Sequence, residues 1–244
     1  MASQSEVGHA KNVANFADLI AYCIAYGATY NPSKTALQLT SLDTLLTSAQ
    51  TELANVTTAK NAFDTVTGNR QAVFENLKPL ATKIFNYLSV TDASEQTIAD
   101  AKTINNKLQG KRAKTITQTT PPEGGTAPNT VSVSRQSYDM LTENFSAFID
   151  LASSVLSYTP NEAELTPASL TTYLEELQTA NTDVINAEVA YSNTRISRNN
   201  ILYADNTGLV NVALDVKKYV KAIFGATSPQ YKQISSIKFT NRKE

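Results

Sequence analysis

The chain carries an internal repeat, and this feature restricts its fold more than any other. When the sequence is aligned with itself at an offset of 128 residues, residues 41–70 match residues 169–198 without a gap. Ten of the thirty aligned pairs are identical. Similarity at a fixed offset is typical of a duplicated structural unit. We therefore predict two similar units, residues 1–112 and 134–244, in this chain of 244 residues.

The spacing of the apolar residues predicts that both units are helical. Phe16, Leu19, Ile20 and Cys23 recur at steps of three and four residues, which places their side chains on one face of an α-helix. The chain holds only 8 glycines and 8 prolines, so few positions break a helix. The sequence therefore predicts an all-α fold in which each unit is a bundle of about four helices.

The second helix of each unit is predicted to be long. Apolar side chains in the ranges 42–63 and 170–191 follow alternating steps of four and three, the pattern of a helix packed lengthwise on a partner. No proline occurs at positions 41–78 or 169–208. Either helix is therefore able to extend over about 35 residues, which corresponds to about 50 Å.

The segment between the units, residues 113–133, has a different composition. It contains a Pro/Gly-rich run at 121–128 that excludes a helix. Alternating β-branched residues flank this run, and such flanks are able to pair as a small β-hairpin. Because an isolated hairpin is only marginally stable in water, a disordered linker is the alternative.

The second unit also resembles a known group of proteins. The resemblance rests on three stretches of sequence, namely Lys217–Tyr231, Arg198-Asn199-Asn200 and Leu202-Tyr203. These stretches are similar to an uncharacterised family of tandemly duplicated, all-helical bacterial proteins. The resemblance implies the same duplicated helical fold, and it implies no activity, cofactor or catalytic residue.

The composition argues against several classes of function. The 21 lysines and arginines nearly balance the 22 aspartates and glutamates, so the net charge is −1. We therefore expect no long-range electrostatic field that would attract nucleic acid. No stretch approaches the length of apolar sequence that spans a bilayer, so we expect no membrane insertion. The first residues lack the features of a secretory signal, which predicts a cytoplasmic protein; a mature secreted form with its signal removed would look the same.

The reactive side chains favour a protein that is not an enzyme. One histidine and one cysteine are present, which excludes sites built from paired imidazoles. We expect His9, near the amino terminus, to lie at the surface, and Cys23, on the apolar face of the first helix, to be buried. Glu175 and Glu176 are expected on a solvated helix face. No phosphate-binding loop, dinucleotide-binding motif or zinc-protease motif occurs, so the sequence predicts no catalytic residue, metal or cofactor.

Two arginines provide the candidate ligand-binding site. Arg70 and Arg198 occupy equivalent positions of the repeat and interrupt the apolar face of the long helix. Arg195 and Asn199 enlarge this polar zone in the second copy. Partly buried guanidinium groups bind carboxylate or phosphate, so these residues are candidates for anion binding. The alternative is an ion pair with a carboxylate of a neighbouring helix.

These observations favour a non-enzymatic helical-bundle protein that presents extended surfaces for protein–protein interaction or scaffolding. Long helices with polar outer faces offer docking area without any catalytic group. The partner would be an unknown protein or a second copy of the chain. The alternative function is a binding module for a small anionic or apolar ligand held between helices, with Arg70 and Arg198 as its binding residues.

Overall fold

The structure is a computed structural model that describes residues 4–111 and 136–242. Helices make up most of this part of the chain, and none of it is in a β-strand. The predicted all-α fold is therefore confirmed for the described residues. The predicted hairpin or linker at 113–133 lies outside them.

The order of the helices is similar in the two halves of the chain. Among the described residues, the first half contains four α-helices: α1 (Gln4–Ala25), α2 (Leu39–Glu75), α3 (Leu77–Leu88) and α4 (Glu95–Leu108). The described part of the second half contains four more: α5 (Tyr138–Ser154), α6 (Pro167–Tyr203), α7 (Leu209–Phe224) and α8 (Pro229–Ser235). A 3-10 turn lies just before each long helix, at Thr35–Leu37 and at Ala163–Leu165, and the first half has a further 3-10 turn at Gly27–Thr29.

The two long helices, α2 and α6, have equal lengths of 37 residues. Their first residues, Leu39 and Pro167, are 128 positions apart, as are their last residues, Glu75 and Tyr203. At the start of α6, the hydroxyl of Thr166 accepts a hydrogen bond from the backbone N–H of Ser169. The observed length agrees with the length that the spacing of prolines and apolar residues predicts.

The chain divides into two compact units, and one of them is discontinuous in sequence. The terminal unit comprises residues 1–64 and 187–244, and the central unit comprises residues 65–186. Both α2 and α6 continue from one unit into the other. These boundaries cut across the predicted units, 1–112 and 134–244. In the terminal unit α1 packs on α7 and α8, and in the central unit α5 packs on α3 and α4. Helices from opposite halves of the sequence therefore share each core.

The core of the terminal unit buries the apolar faces of α1 and α7. Phe16, Leu19 and Cys23 of α1 are fully buried, together with Val216 and Val220 of α7. Burial of side chains of this size contributes about 1.5–3 kcal/mol each relative to exposure. The apolar stripe that the sequence predicts for α1 therefore faces the core of this unit.

The core of the central unit is equally apolar. It includes Ile84 and Leu88 of α3, Leu108 of α4, and Phe145 and Phe148 of α5, all fully buried. The ring of Phe145 meets that of Tyr173 edge-on, with centroids 5.6 Å apart. Edge-on aromatic pairs of this kind add specificity to the packing.

One hydrogen bond occurs in both halves of the chain. The hydroxyl of Tyr30 donates to the backbone oxygen of Leu37 at 2.7 Å, and the hydroxyl of Tyr158 donates to the backbone oxygen of Leu165 at 2.9 Å. All four residues are buried, and both pairs fasten the loop that leads into a long helix. A buried tyrosine whose hydroxyl is satisfied in this way contributes both packing and orientation.

Candidate functional site

Arg70 lies in the central unit, near the end of α2. Its guanidinium carbon is 4.0 Å from the centre of the Tyr138 ring, which is close enough for a cation–π interaction. The ring of Phe74 meets Tyr138 edge-on at 4.7 Å. Arg70 is half-buried, and its Nε is buried with no hydrogen-bond partner in the described part of the chain. Arg70 therefore packs as a flat group against an aromatic pair.

Arg198 lies in the terminal unit and is fully buried. Its Nε and one terminal nitrogen both donate to Oδ1 of Asn199, at 3.1 and 2.8 Å. Arg195 is half-buried, and its guanidinium lies 5.7 Å from the ring centre of Tyr191. The structure thus brings Arg198 together with Asn199 in the terminal unit, whereas Arg70 belongs to the central unit. Anion binding by these residues stays a prediction.

His9 is buried, and the expectation that it lies at the surface is wrong. Its Nδ1 is 2.6 Å from the hydroxyl of Tyr203, which also accepts a hydrogen bond from Nδ2 of Asn12 at 3.2 Å. His9 stands four residues before Val13 and seven before Phe16, so it continues the apolar stripe of α1. This spacing is the signal in the sequence that indicates burial of His9, although the residue lies near the amino terminus.

The last described residues are held to the terminal unit by polar side chains. Asn12 donates to the backbone oxygen of Thr240 and accepts from its N–H, at 2.8 and 3.1 Å. Lys217 donates to the backbone oxygens of Ser235 and Ile237. Burial lowers the pKa of the Lys217 ammonium group. Asn12 is buried and Lys217 is half-buried, so these contacts supply hydrogen-bond partners to side chains that solvent reaches poorly, and we interpret them as structural.

Cys23 is buried, as the sequence predicts. Burial raises the pKa of its thiol to about 12, against a smaller lowering by the hydrogen bond with Tyr30. A thiol with such a pKa is uncharged at neutral pH and is a poor nucleophile. Among the residues that the structure describes, no group of three histidine, cysteine, aspartate or glutamate side chains is arranged to hold a metal ion.

The central unit also contains an open groove between α2 and α6, which we call the acidic groove. Its volume is about 390 Å³. The groove is lined by Val66, Asn69 and Val73 of α2 and by Thr172, Glu175, Glu176, Thr179, Ala180 and Asp183 of α6. Neither Arg70 nor Arg198 lines it. We refer to Val66, Val73 and Ala180 as its floor, and to Glu175, Glu176 and Asp183 as its three carboxylates.

Tyr173 fixes the position of α6 beside the groove. Its hydroxyl donates to the backbone oxygen of Val73 on α2 at 2.6 Å. Burial raises the pKa of Tyr173 to about 12, and the negative charge of Glu176 adds to the shift. The three carboxylates are exposed, as is expected for the solvated helix face that the sequence predicts for Glu175 and Glu176. The sequence does not reveal that a neighbouring helix turns this face into a groove.

A second exposed feature follows α6 toward its carboxyl end, and we call it the α6 stripe. It consists of Val189 and Ile196 in the terminal unit, whose exposed fractions are 55% and 56%. A step of seven residues places these two side chains within about 20° of each other around the helix. The stripe therefore lies on one face of the last part of α6.

Comparison with known proteins adds no functional assignment. No protein-family model, curated protein or solved structure matches this chain.

Proposed function

We propose that this protein is a non-enzymatic helical protein that presents helix surfaces to a protein partner or to a second copy of itself. The observation that carries the proposal is the α6 stripe. Isolated apolar residues are common on protein surfaces, but apolar residues aligned along one helix face mark a contact surface more often than single ones do. A step of seven residues is that of a helix that packs against another helix.

Comparison within the chain supports this interpretation. The residues 128 positions before Val189 and Ile196 are Asn61 and Gly68, neither of which has an apolar side chain. Both are exposed on α2, so an exposed position on this helix does not need an apolar side chain. The apolar residues of α6 are therefore not required for the helix itself, and contact with a partner accounts for them.

We also propose that the chain arose by duplication and belongs with the duplicated helical bacterial proteins that it resembles. The equal lengths of α2 and α6 support this proposal. The recurrence of the tyrosine hydrogen bonds to Leu37 and Leu165 supports it further. None of the helices in the described ranges combines the length and apolar character that crossing a membrane requires, which is consistent with a role that does not involve membrane insertion.

The test replaces both residues of the stripe with polar ones. The double substitution Val189→Asn and Ile196→Gln should leave the helix content unchanged and alter the free energy of unfolding by about 0.5 kcal/mol or less, because both sites are exposed. Self-association, measured by sedimentation equilibrium, or retention of a partner from the native host should weaken by about tenfold or more.

The control is Val90→Asn, which removes an apolar side chain that is 81% exposed in a turn after α3. It should change neither self-association nor partner retention. The proposal is wrong if the double substitution in the stripe leaves both measurements as they are in the wild type.

The second candidate function is binding of a small anion at Arg70. The specific observation in its favour is that Nε of Arg70 is buried with no hydrogen-bond partner among the described residues. An oxyanion would supply the missing acceptor. Millimolar phosphate should then raise the unfolding temperature of the wild type and leave that of Arg70→Met unchanged. An equal rise in both proteins would exclude a site at Arg70.

A further inference from the structure

Among the described residues, no basic side chain lines the acidic groove beside its three carboxylates. Within the described ranges, none of the three accepts a hydrogen bond or joins an ion pair. Other surface carboxylates do pair with lysines: Asp64 lies next to Lys60, and Glu164 lies 2.7 Å from Lys83. The groove therefore combines a concentrated negative charge with an apolar floor.

The other half of the chain shows that α6 does not need these acids for its own stability. The residues 128 positions before the three carboxylates are Thr47, Ser48 and Asn55. The hydroxyls of Thr47 and Ser48 donate to backbone oxygens one turn earlier in α2, so they are satisfied within their own helix. The two halves thus differ by three negative charges at equivalent positions.

The floor differs between the halves as well. Ala180 is replaced at the equivalent position by Glu52, and Val66 is replaced by Thr194. Val73 has an apolar counterpart, Ile201, so two of the three floor residues and all three carboxylates are specific to the central unit. A surface that combines apolar area with unpaired charge is suited to bind a partner, because the apolar area supplies affinity and the charge selects the partner.

The length of the groove indicates the shape of its occupant. The α6 residues that line it extend from Thr172 to Asp183 at steps of three and four residues. This distance is three helical turns, or about 16 Å. A helix of about 11 residues covers the same length, and an amphipathic helix lying in an apolar groove is a recurrent mode of peptide recognition.

We infer that the acidic groove binds a basic amphipathic helix of a partner protein. The helix places small apolar side chains on the floor and lysines or arginines beside the three carboxylates. Nucleic acid and anionic membranes do not fit, because their phosphates would be repelled. The inference builds on the proposed interaction role but uses a different surface from the α6 stripe, so the two are tested separately.

The experiment uses the full chain and three synthetic peptides of about 14 residues, the length that covers the groove. The first peptide is an amphipathic helix with alanine and leucine on one face and lysine on the other. The second has glutamate in place of lysine, and the third contains the residues of the first in an order that destroys the apolar face. Dissociation constants are measured by calorimetry at low ionic strength, and NMR shifts of the methyl groups of Val66, Val73 and Ala180 locate the bound peptide.

Two variants separate charge from apolar contact. The triple substitution Glu175→Thr, Glu176→Ser and Asp183→Asn replaces the three carboxylates with the residues of the other half. Ala180→Glu places a charge on the floor and makes the groove more negative. The matched control, Glu143→Gln with Asp150→Asn, removes exposed charges from α5 in the same unit.

The inference predicts that the lysine peptide binds the wild type at least about tenfold more tightly than either other peptide, a difference of about 1.4 kcal/mol. The triple substitution and Ala180→Glu should each weaken this binding by about tenfold, and the α5 control should not. Methyl shifts should be confined to the groove.

Several results would overturn the inference. An amphipathic helix in the groove is contradicted if the lysine peptide fails to bind at millimolar concentration, or if the reordered peptide binds as tightly as the lysine peptide. Tighter binding of the lysine peptide to Ala180→Glu than to the wild type would show attraction by charge alone. If the glutamate peptide binds as tightly as the lysine peptide, the partner is not selected by its positive charge, and the inference of a basic helix is wrong. The α6 stripe experiment tests a different surface, so its result does not depend on any of these outcomes.

Discussion

The hydroxyl of Tyr203 lies 2.6 Å from Nδ1 of His9, so the last residue of α6 is joined to the first helix of the chain. The two residues are 194 positions apart in sequence. Both are buried, and Asn12 donates to the same hydroxyl. This contact ties the two discontinuous parts of the terminal unit together.

We expect Tyr203→Phe to destabilise the protein by about 1–3 kcal/mol, because it removes a hydrogen-bond partner from polar groups that stay buried. Urea unfolding measures the change. The control is Tyr191→Phe, because the Tyr191 ring is half-buried against Phe63 and no hydrogen bond to its hydroxyl occurs among the described residues. The control should change the free energy of unfolding by about 0.5 kcal/mol or less. If the urea midpoints of Tyr203→Phe and Tyr191→Phe are equal, the hydrogen bond between Tyr203 and His9 does not stabilise the protein.

The recurring hydrogen bonds of Tyr30 and Tyr158 should have similar energies. Each of the substitutions Tyr30→Phe and Tyr158→Phe should lower the free energy of unfolding by about 0.5–1.5 kcal/mol, because each leaves a buried backbone oxygen without this donor. The two tyrosines belong to different units, so the double variant should show the sum of the single effects. Denaturant unfolding of all three variants tests this expectation, and a cost for one substitution alone would refute the equivalence.

Two glycines should respond to alanine in opposite directions. A Cβ on Gly208 would lie 2.5 Å from the backbone nitrogen of Ala204 and 2.7 Å from its oxygen, so the turn between α6 and α7 would have to shift. A Cβ on Gly68, inside α2, would meet nothing within 4 Å. Gly208→Ala should therefore lower the unfolding temperature, and Gly68→Ala should stabilise the protein by about 0.5–1 kcal/mol. Thermal unfolding checks both signs, and a stable Gly208→Ala variant would contradict this close approach.

The free energy of unfolding should fall as the pH rises from about 10 to about 12. Burial raises the pKa of Tyr26, Tyr158 and Tyr173 to about 12, and that of Cys23 to about 12. In the unfolded chain these groups lose their protons first, which stabilises the unfolded state in this interval. Their contribution is complete below about pH 8, which is under the unfolded-state pKa of the thiol and of the tyrosines, and it is lost as the pH passes their folded-state pKa values.

Urea unfolding at a series of alkaline pH values measures this decline. Tyr173→Phe should lower the free energy of unfolding at pH 8, because the hydrogen bond to Val73 is lost, yet it should reduce the slope of the decline. A free energy that is constant up to pH 12 would show that these side chains are not protected from solvent.

The amino-acid sequence by itself determined the helices and much of their apolar faces. Steps of three and four residues are a local property of the chain, so the stripe of Phe16, Leu19 and Cys23 and the length of α2 could be predicted before any tertiary contact was known. The equivalent positions of Arg70 and Arg198 in the repeat also follow from the sequence alone. The same spacing indicates burial of His9, but its polar partner, the hydroxyl of Tyr203, is distant in the sequence and is supplied only by the tertiary structure.

Only the tertiary structure decided which helices share a core. The apolar faces of the two halves are similar, so the pattern in α1 fits a partner from its own half as well as one from the other half. Packing joined α1 to α7 and α8, and α5 to α3 and α4. The acidic groove follows from such long-range packing, because Glu175 and Asp183 lie next to Val66 only when α2 and α6 come together. Local periodicity determines which face of a helix is apolar, whereas the choice of partner depends on the complementary shapes of side chains that are distant in the sequence.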